Sequence, residues 1–401
     1  MSKDGQSAYR WYILGLAAAT HTFAAAMPLS CMPVLFGEMS EDLGLSLVQI
    51  GAVWGVVSLA GVFVALLAGM LGDRFGTKLV LGSACLLGGL AGSMRGLSGD
   101  FASLAATVFI FGLIRSTMPI NVHKTVSVWF RGRNLGMANG VVSMGMGIGL
   151  MMGPLISATI LSPLLGGWRN VLLLYGAVSI AIGLLWLISG REYRHLDPAS
   201  GPSGAVPIRQ ALSELVRIKD LWLLGFTLMF RSGCIHGLTG YVPLYLRQQG
   251  WALASADGAL AAFYVVSTTA VIPLSLLSDR LVSRKAILIP ALLTTVVGLS
   301  LLPLADGILV WGLLILVGIF MDSFMAIIIS MVQETVGVGP RYSGTALGLV
   351  FTMAMSGAFL SPPLGNSLAS VGPGLPFVFW AALSAVAVVI LFFARETAQR
   401  R

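Results

Sequence analysis

The sequence predicts an all-α integral membrane protein with twelve transmembrane helices in two repeated halves. Three observations lead there. First, only 10% of the 401 residues are charged while 57% are hydrophobic, and the mean hydropathy is +0.91. A soluble domain carries roughly 25% charged residues, so this chain cannot cover a water-facing surface. Second, the apolar residues gather into runs of about twenty, the length that crosses a bilayer as a helix. Third, the motifs of the first half return in the second. An ordinary soluble enzyme, a disordered protein and a secreted disulfide scaffold are excluded by the composition alone.

Taken in order, the apolar runs cover 11–35, 47–71, 79–98, 102–128, 135–161, 169–190, 221–245, 257–278, 286–304, 309–331, 343–367 and 375–394. They leave one long hydrophilic connection. It carries Arg191, Glu192, Arg194 and Asp197, then a Pro/Gly/Ser stretch from Pro198 to Pro207, then an amphipathic segment from Ile208 to Ile218. Proline and glycine in its middle make it a linker. The expected organisation is a six-helix bundle over 1–190, a linker over 191–220 and a second six-helix bundle over 221–401. Cys31, Cys85 and Cys234 all fall inside apolar runs, and no pair suggests a disulfide or a metal site. The stretch Ala24-Ala25-Ala26 imitates a signal-peptidase site, but the apolar run continues to Leu35 and is too long for a signal segment.

Basic residues set the expected orientation. With a cytoplasmic N-terminus, nineteen of the 24 Lys and Arg residues fall on the cytoplasmic side. Arg95, Arg169 and Arg247 fall outside, and Arg115 and Arg231 fall within spans. That bias puts both termini in the cytoplasm. The outer loops carry acids instead: Glu38, Glu41, Asp42, Asp100, Asp257 and Asp306. The net charge of +8 therefore reads as topology and not as affinity for nucleic acid.

The halves repeat at a nearly constant offset. Gly69-Met-Leu-Gly-Asp73-Arg74-Phe-Gly76-Thr-Lys78 follows the second run, and Ser278-Asp279-Arg280-Leu-Val-Ser-Arg284-Lys285 follows the eighth, 206 positions on (279 − 73). Arg133-Asn-Leu-Gly136-Met-Ala138-Asn-Gly140 matches Arg341-Tyr-Ser-Gly344-Thr-Ala346-Leu-Gly348, 208 positions on (341 − 133). Pro33-Val-Leu-Phe aligns with Pro243-Leu-Tyr-Leu, 210 positions on (243 − 33). This is an internal duplication of a six-helix unit, a device of secondary transporters.

With those motifs, nearly the whole chain resembles the major facilitator superfamily of secondary transporters. The segment Gly69-x-x-x-Asp73-Arg74-x-Gly76-x-Lys78 is similar to that family's motif between helices 2 and 3. The copy at Asp279-Arg280 is degenerate, with Ser275 and Ser283 where glycines would stand. The resemblance implies two pseudo-symmetric six-helix bundles around a central cavity lined by helices 1, 4, 7 and 10, with alternating access by rocking. Physically, the glycines permit a tight turn and close helix approach. Asp73 at a helix end can pair with Arg131 or Arg133 on a neighbouring loop. The latch would comprise Gly69, Asp73, Arg74, Gly76, Lys78, Arg131 and Arg133, with Asp279, Arg280 and Arg341 in the second half. The plainer alternative is a topology anchor. Gly149-x-x-x-Gly153-Pro154 resembles a motif of proton-driven antiporters in the same superfamily but lacks the glycine pair that follows. Small residues at this spacing also simply pack helices.

Ionisable residues at membrane depth are costly and mark function. Four stand near mid-span: His21, Arg115, Arg231 and Asp322, one in each helix that the resemblance assigns to the cavity. The duplication relates them, since 21 + 210 is Arg231 and 115 + 208 falls one residue past Asp322. The plainer readings are a packed histidine at 21 and an Arg115–Asp322 bridge. Two arginines against one acid nonetheless favour an anion, and a planar guanidinium suits a carboxylate. Proton-carrier candidates are Asp322 and His21, the latter because imidazole titrates near pH 6.5. Tyr264 with Thr268, and Asn139 with Ser143, share helix faces and can touch substrate or bond neighbouring helices. Pro119 is expected to kink the fourth span just past Arg115. His123 and Lys124 are read as interfacial, His236 as packing, Gln333 as an anchor and Glu334 as part of a charge network at that end.

The expected function is secondary active transport of a small organic anion, a carboxylate, by proton-coupled symport and alternating access. The alternative is a proton-driven antiporter exporting drugs or metabolites. A membrane enzyme lacks a convergent catalytic set here, and a sensor lacks a signalling domain. The expected partners are a small anionic substrate, protons and the lipid bilayer, for a monomer with no cofactor, metal or nucleic acid. If Asp73 latches one state, Asp73→Asn changes transport rate and the relative labelling of cysteines placed on the two faces. Unchanged rates and labelling would leave it a topology anchor.

Overall fold

The computed structural model describes residues 3–130, 133–191, 213–281 and 283–397; the side chains at 3–8, 65–70, 73, 133, 279 and 339–341 lie outside the described set. Among the described residues, twelve helices are long and apolar enough to cross a membrane, and there is no strand. They are α1 (Tyr9–Ser30), α2 (Leu47–Phe75), α3 (Thr77–Arg95), α4 (Phe101–Trp129), α5 (Asn134–Leu165) and α6 (Trp168–Ser189), then α7 (Lys219–Gln248), α8 (Leu253–Ser278), α9 (Lys285–Leu304), α10 (Ile308–Glu334), α11 (Tyr342–Ser370) and α12 (Leu375–Phe393). The expected twelve spans are all present. The first ends earlier than expected, because Pro28 and Pro33 reset the helix, which resumes over Met32–Leu43.

By contact, the chain groups into two units: Met1–Arg194 with Val242–Val265, and His195–Tyr241 with Val266–Arg401. In the first unit, glycine seams bring helices into backbone contact. On α5, a Cβ at Gly145 would lie 2.9 Å from the Ala18 carbonyl oxygen, and one at Gly149 would lie 2.6 Å from that of Thr22. A Cβ at Gly153 would overlap the Ser30 hydroxyl. The Gly149–Gly153 pair thus packs α5 on α1. Gly89 on α3 and Gly176 on α6 meet the same way, each Cβ position 2.6 Å from the other's carbonyl oxygen. Apolar association between helices in lipid is weak, so such close packing is what holds them. Trp186, Phe130, Val122 and Ile13 fill the core between the seams.

The turn between α2 and α3 depends on Gly76. Its φ of 84° lies in the left-handed region, which L side chains rarely adopt. Ser46 and Gln49 form a capping box that starts α2, and Asp100 with Ser103 forms one that starts α4. The backbone N–H of Ser103 holds the Asp100 carboxyl below its usual range. Glu38 accepts hydrogen bonds from the Trp168 backbone N–H (3.0 Å) and the Ser162 hydroxyl (2.6 Å), so it fastens the start of α6.

Each of the three arginines that depart from the basic-end bias is tied down. Arg169 pairs with Asp42 at 2.9 Å. Arg247 pairs with Asp257 and donates to the Val34 carbonyl at 2.7 Å, while Thr159 donates to the same Asp257 carboxylate at 3.0 Å. Arg95 is no loop cation: only 1% of it is exposed, and it stacks on Phe111 at 3.9 Å while donating to the Pro28 carbonyl at 2.9 Å. That carbonyl sits where α1 is reset.

The second unit repeats the seam of the first. A Cβ on Gly357 of α11 would overlap the Met229 carbonyl oxygen of α7. Gly357 follows Gly149 by 208 positions (357 − 149), and Met229 follows Thr22 by 207 (229 − 22). The duplication therefore reaches the backbone packing. Gly237 and Gly365 make room for the Trp380 indole, and Phe324, Ile328 and Met331 fill the core. At the basic end Arg284 pairs with Glu334 at 3.0 Å, as expected for Glu334. Gly357→Ala must push the α7 and α11 backbones away from each other and is expected to cost roughly 1–3 kcal/mol. Gly140→Ala, with nothing within 4 Å of the added carbon, is the control and should hold or raise the melting temperature in detergent. Equal melting temperatures would contradict the seam.

Candidate functional site

Three of the four helices that carry mid-span ionisable residues are irregular at those residues. In α1 the segment Thr20–Ala26 is a π-helix that contains His21. Hydroxyls bond to carbonyls around the wider turn. Thr20 donates to Leu16 O (2.8 Å), and Thr22 donates to Ala18 O (3.0 Å) and to Gly145 O on α5 (2.8 Å). The Trp186 indole N–H then donates to the Thr20 hydroxyl at 2.8 Å.

In α4 the α-helix stops at Arg115 and resumes over Met118–Trp129. Pro119 has no N–H to offer the Arg115 carbonyl, which is the kink expected from sequence. The Ser116 and Thr117 hydroxyls donate to Gly112 O and Ile114 O at 2.7 Å each, carbonyls that also accept the backbone N–H groups of the same two residues at 3.1 Å. In α10 the break falls at Phe320 (φ −98°, ψ 1°), two residues before Asp322, and has no proline to cause it. Its cause is a side chain in the hydrogen-bond ladder. The buried Ser267 hydroxyl of α8 accepts from the Asp322 N–H at 3.1 Å and donates to the Asp322 carboxylate at 2.6 Å. By contrast α7, which carries Arg231, runs unbroken.

In the first unit the structure brings together His21, His123 and Asn139. His21 is 2% exposed, and its Nδ1 lies 3.1 Å from the Val142 carbonyl oxygen. The His123 ring stands edge-on to it at 5.3 Å, and His123 Nδ1 lies 2.9 Å from Asn139 Oδ1. His123, read from sequence as interfacial, is exposed and is also a neighbour of His21. Arg115 is half-buried, and its Nε has no hydrogen-bond partner among the described residues. Tyr264 is buried and packs edge-on to Phe263 at 5.6 Å.

In the second unit Arg231 and Asp322 have separate partners. Arg231 is 3% exposed, donates to the Thr295 hydroxyl at 2.8 Å and lies 5.3 Å over the Phe324 ring. Both neighbours are uncharged, and its second terminal nitrogen, Nη2, has no partner among the described residues. Sequence reasoning missed Ser267, Thr295 and His123. Ser267 adjoins Thr268, which shares a helix face with Tyr264, and a hydroxyl at mid-span was the available signal. Thr295 gave none, because α9 is not among the helices expected to line the cavity.

Of the expected latch, Gly76 forms the turn described above, and Arg74 lies over the Phe75 ring at 5.3 Å. Gly72 packs against α4, where a Cβ would overlap the Asn121 amide oxygen. Arg131 and the side chains of Asp73, Arg133, Asp279 and Arg341 lie outside the described residues, as does the exposure of Gly69. Lys78 is half-buried and Arg280 exposed.

A sequence profile of the Major Facilitator Superfamily matches residues 18–362 and 256–401. The chain is 23% identical to a probable sulfoacetate transporter of Cupriavidus necator, over 96% of this chain and 93% of that protein. It is 25% identical to a gallate transporter of Pseudomonas putida, over 93% of this chain and 88% of that one. Its fold matches a crystal structure of the nucleoside transporter NupG with a TM-score of 0.80 at 14% identity, over 96% of this chain and all of that one (100%). The chain belongs to the major facilitator superfamily: it is a multi-pass membrane transporter and not an enzyme.

Ser267→Ala would leave an N–H and a carboxylate oxygen of Asp322 without their shared partner. The expected loss is about 1–3 kcal/mol, read as a lower melting temperature, with Ser267→Thr losing less. An unchanged melting temperature would contradict this account of the α10 break.

Proposed function

Within this superfamily, we propose that the chain carries a small organic carboxylate held by Arg115 and Arg231, and moves it together with protons by alternating access. The supporting observation is the state of the two guanidinium groups. Each has a buried nitrogen without a hydrogen-bond partner among the described residues, and the neighbours described for Arg231 are the Thr295 hydroxyl, the Cys234 thiol and the Phe324 ring. A buried cation without a counter-charge is costly, and an anionic substrate supplies both the charge and the acceptors. The relatives named for sulfoacetate and gallate carry organic anions, which agrees with this chemistry.

Asp322 is the proposed proton carrier. It has one hydrogen-bonding hydroxyl at hand, so it can gain and lose a proton without unfolding its helix. Both termini are proposed to be cytoplasmic, the two bundles to be 1–190 and 221–401 joined by the 191–220 linker, and the Asp73 motif with its basic partners to latch one state. Packing of α5 on α1 accounts for Gly149 and Gly153, so that motif does not favour the exporter reading.

The test is a thermal-shift screen of purified protein against carboxylates. A ligand at a hundred times its Kd stabilises the native state by about 2.7 kcal/mol. Stabilisation by a carboxylate, lost in Arg115→Gln and Arg231→Gln, is expected. Stabilisation by organic cations instead would overturn the reading. In proteoliposomes, Asp322→Asn is expected to abolish pH-driven uptake and to spare counterflow; retained pH-driven accumulation would remove Asp322 from the proton path.

A further inference from the structure

His21 has a fixed tautomer. Its Nδ1 faces the Val142 carbonyl oxygen at 3.1 Å, and a carbonyl can only accept, so Nδ1 carries the hydrogen. In a neutral imidazole the other nitrogen is then a bare acceptor. That atom, Nε2, is buried and has no hydrogen-bond partner among the described residues. A carboxylate cannot satisfy it, because a carboxylate also only accepts. The first unit thus holds two unlike unpaired groups, a guanidinium donor at Arg115 Nε and an imidazole acceptor at His21 Nε2, near enough for the charge of Arg115 to act on His21.

From this pairing we infer that the substrate is a hydroxylated carboxylate whose hydroxyl donates to His21 Nε2. The inference rests on the carboxylate reading above and adds the substrate's second group. A hydroxyl satisfies the lone pair without adding a charge to a buried site, whereas a proton adds one. The surroundings suit a hydroxyl. His123 stands edge-on to the His21 ring at 5.3 Å and is itself exposed, so the buried imidazole has a neighbour that reaches the surface. The bond between His123 and Asn139 occupies His123 Nδ1 and leaves its other nitrogen for a further substrate hydroxyl. The Val142 carbonyl orients the His21 ring, and the bond from Thr22 to Gly145 O ties the π-turn that carries it to α5. A site built to pair a hydroxyl rejects the analogue that lacks it, because its own buried group is left unpaired.

The test uses matched carboxylates: 4-hydroxybenzoate with benzoate, lactate with propionate, and gluconate with hexanoate. Binding is measured by thermal shift and by competition on purified native protein, His21→Leu and His21→Gln, each at two pH values. The native protein is expected to prefer the hydroxylated member of at least one pair tenfold or more. His21→Leu is expected to bring that ratio near one while binding still requires Arg115. His21→Gln keeps an acceptor and should keep some of the preference, which separates recognition from misfolding. If carboxylates bind with no hydroxyl preference, or the preference survives His21→Leu, this inference falls and the carboxylate reading stands. If His21→Leu changes only the pH dependence at a constant ratio, His21 is a proton site and the inference is equally overturned. If no carboxylate binds, the carboxylate reading fails first and takes this inference with it.

Discussion

The constraint on which the rest of the structure depends is the backbone's need for hydrogen bonds where no water can supply them. In an apolar medium each unpaired N–H or C=O costs several kcal/mol, so a spanning helix can break only where something else takes its place. Here hydroxyls gather at the irregular turns. Thr20 and Thr22 donate to carbonyls around the π-turn of α1, Ser116 and Thr117 to carbonyls beside the break of α4, and at the break of α10 the Ser267 hydroxyl accepts the Asp322 N–H. Each irregularity stands within two residues of His21, Arg115 or Asp322. At α10 the same hydroxyl also holds the ionisable side chain, since Ser267 donates to the Asp322 carboxylate.

The second organising fact is that the duplication operates on backbone contact as well as on motifs. Gly149 against Thr22, and Gly357 against Met229, are the same approach made twice, 207 to 208 positions apart. Neither glycine belongs to a loop motif. Both let a helix neighbouring a charge-bearing helix come close enough to fix it, α5 on α1 and α11 on α7. A side chain at either seam would displace the helix that carries His21 or Arg231.

Much of this was legible in the sequence. The twelve spans follow from hydropathy and length, and the Pro119 kink follows from one missing N–H. The mid-span charges stand out because so few charges exist. What could not be read was pairing across helices. Ser267 breaks α10 from another helix, so nothing in the α10 sequence marks the break. His123 sits at the end of an apolar run, where a histidine ordinarily meets the interface, and only the fold turns it onto His21. Arg95 illustrates the opposite error. Its position in the sequence is that of a loop cation, yet the Phe111 face and the Pro28 carbonyl draw it into the protein.

The central claim is that the charge of the substrate completes the guanidinium groups of Arg115 and Arg231, for which no counter-ion stands among the described residues. It is tested most directly without any mutation, by calorimetric titration of the purified protein with carboxylates, each paired with its primary amide. The amide keeps the shape and loses the charge. The account predicts that at least one carboxylate binds at least ten times more tightly than its amide, a difference of about 1.4 kcal/mol. Carboxylates and amides binding alike, or amides binding where carboxylates do not, would contradict it.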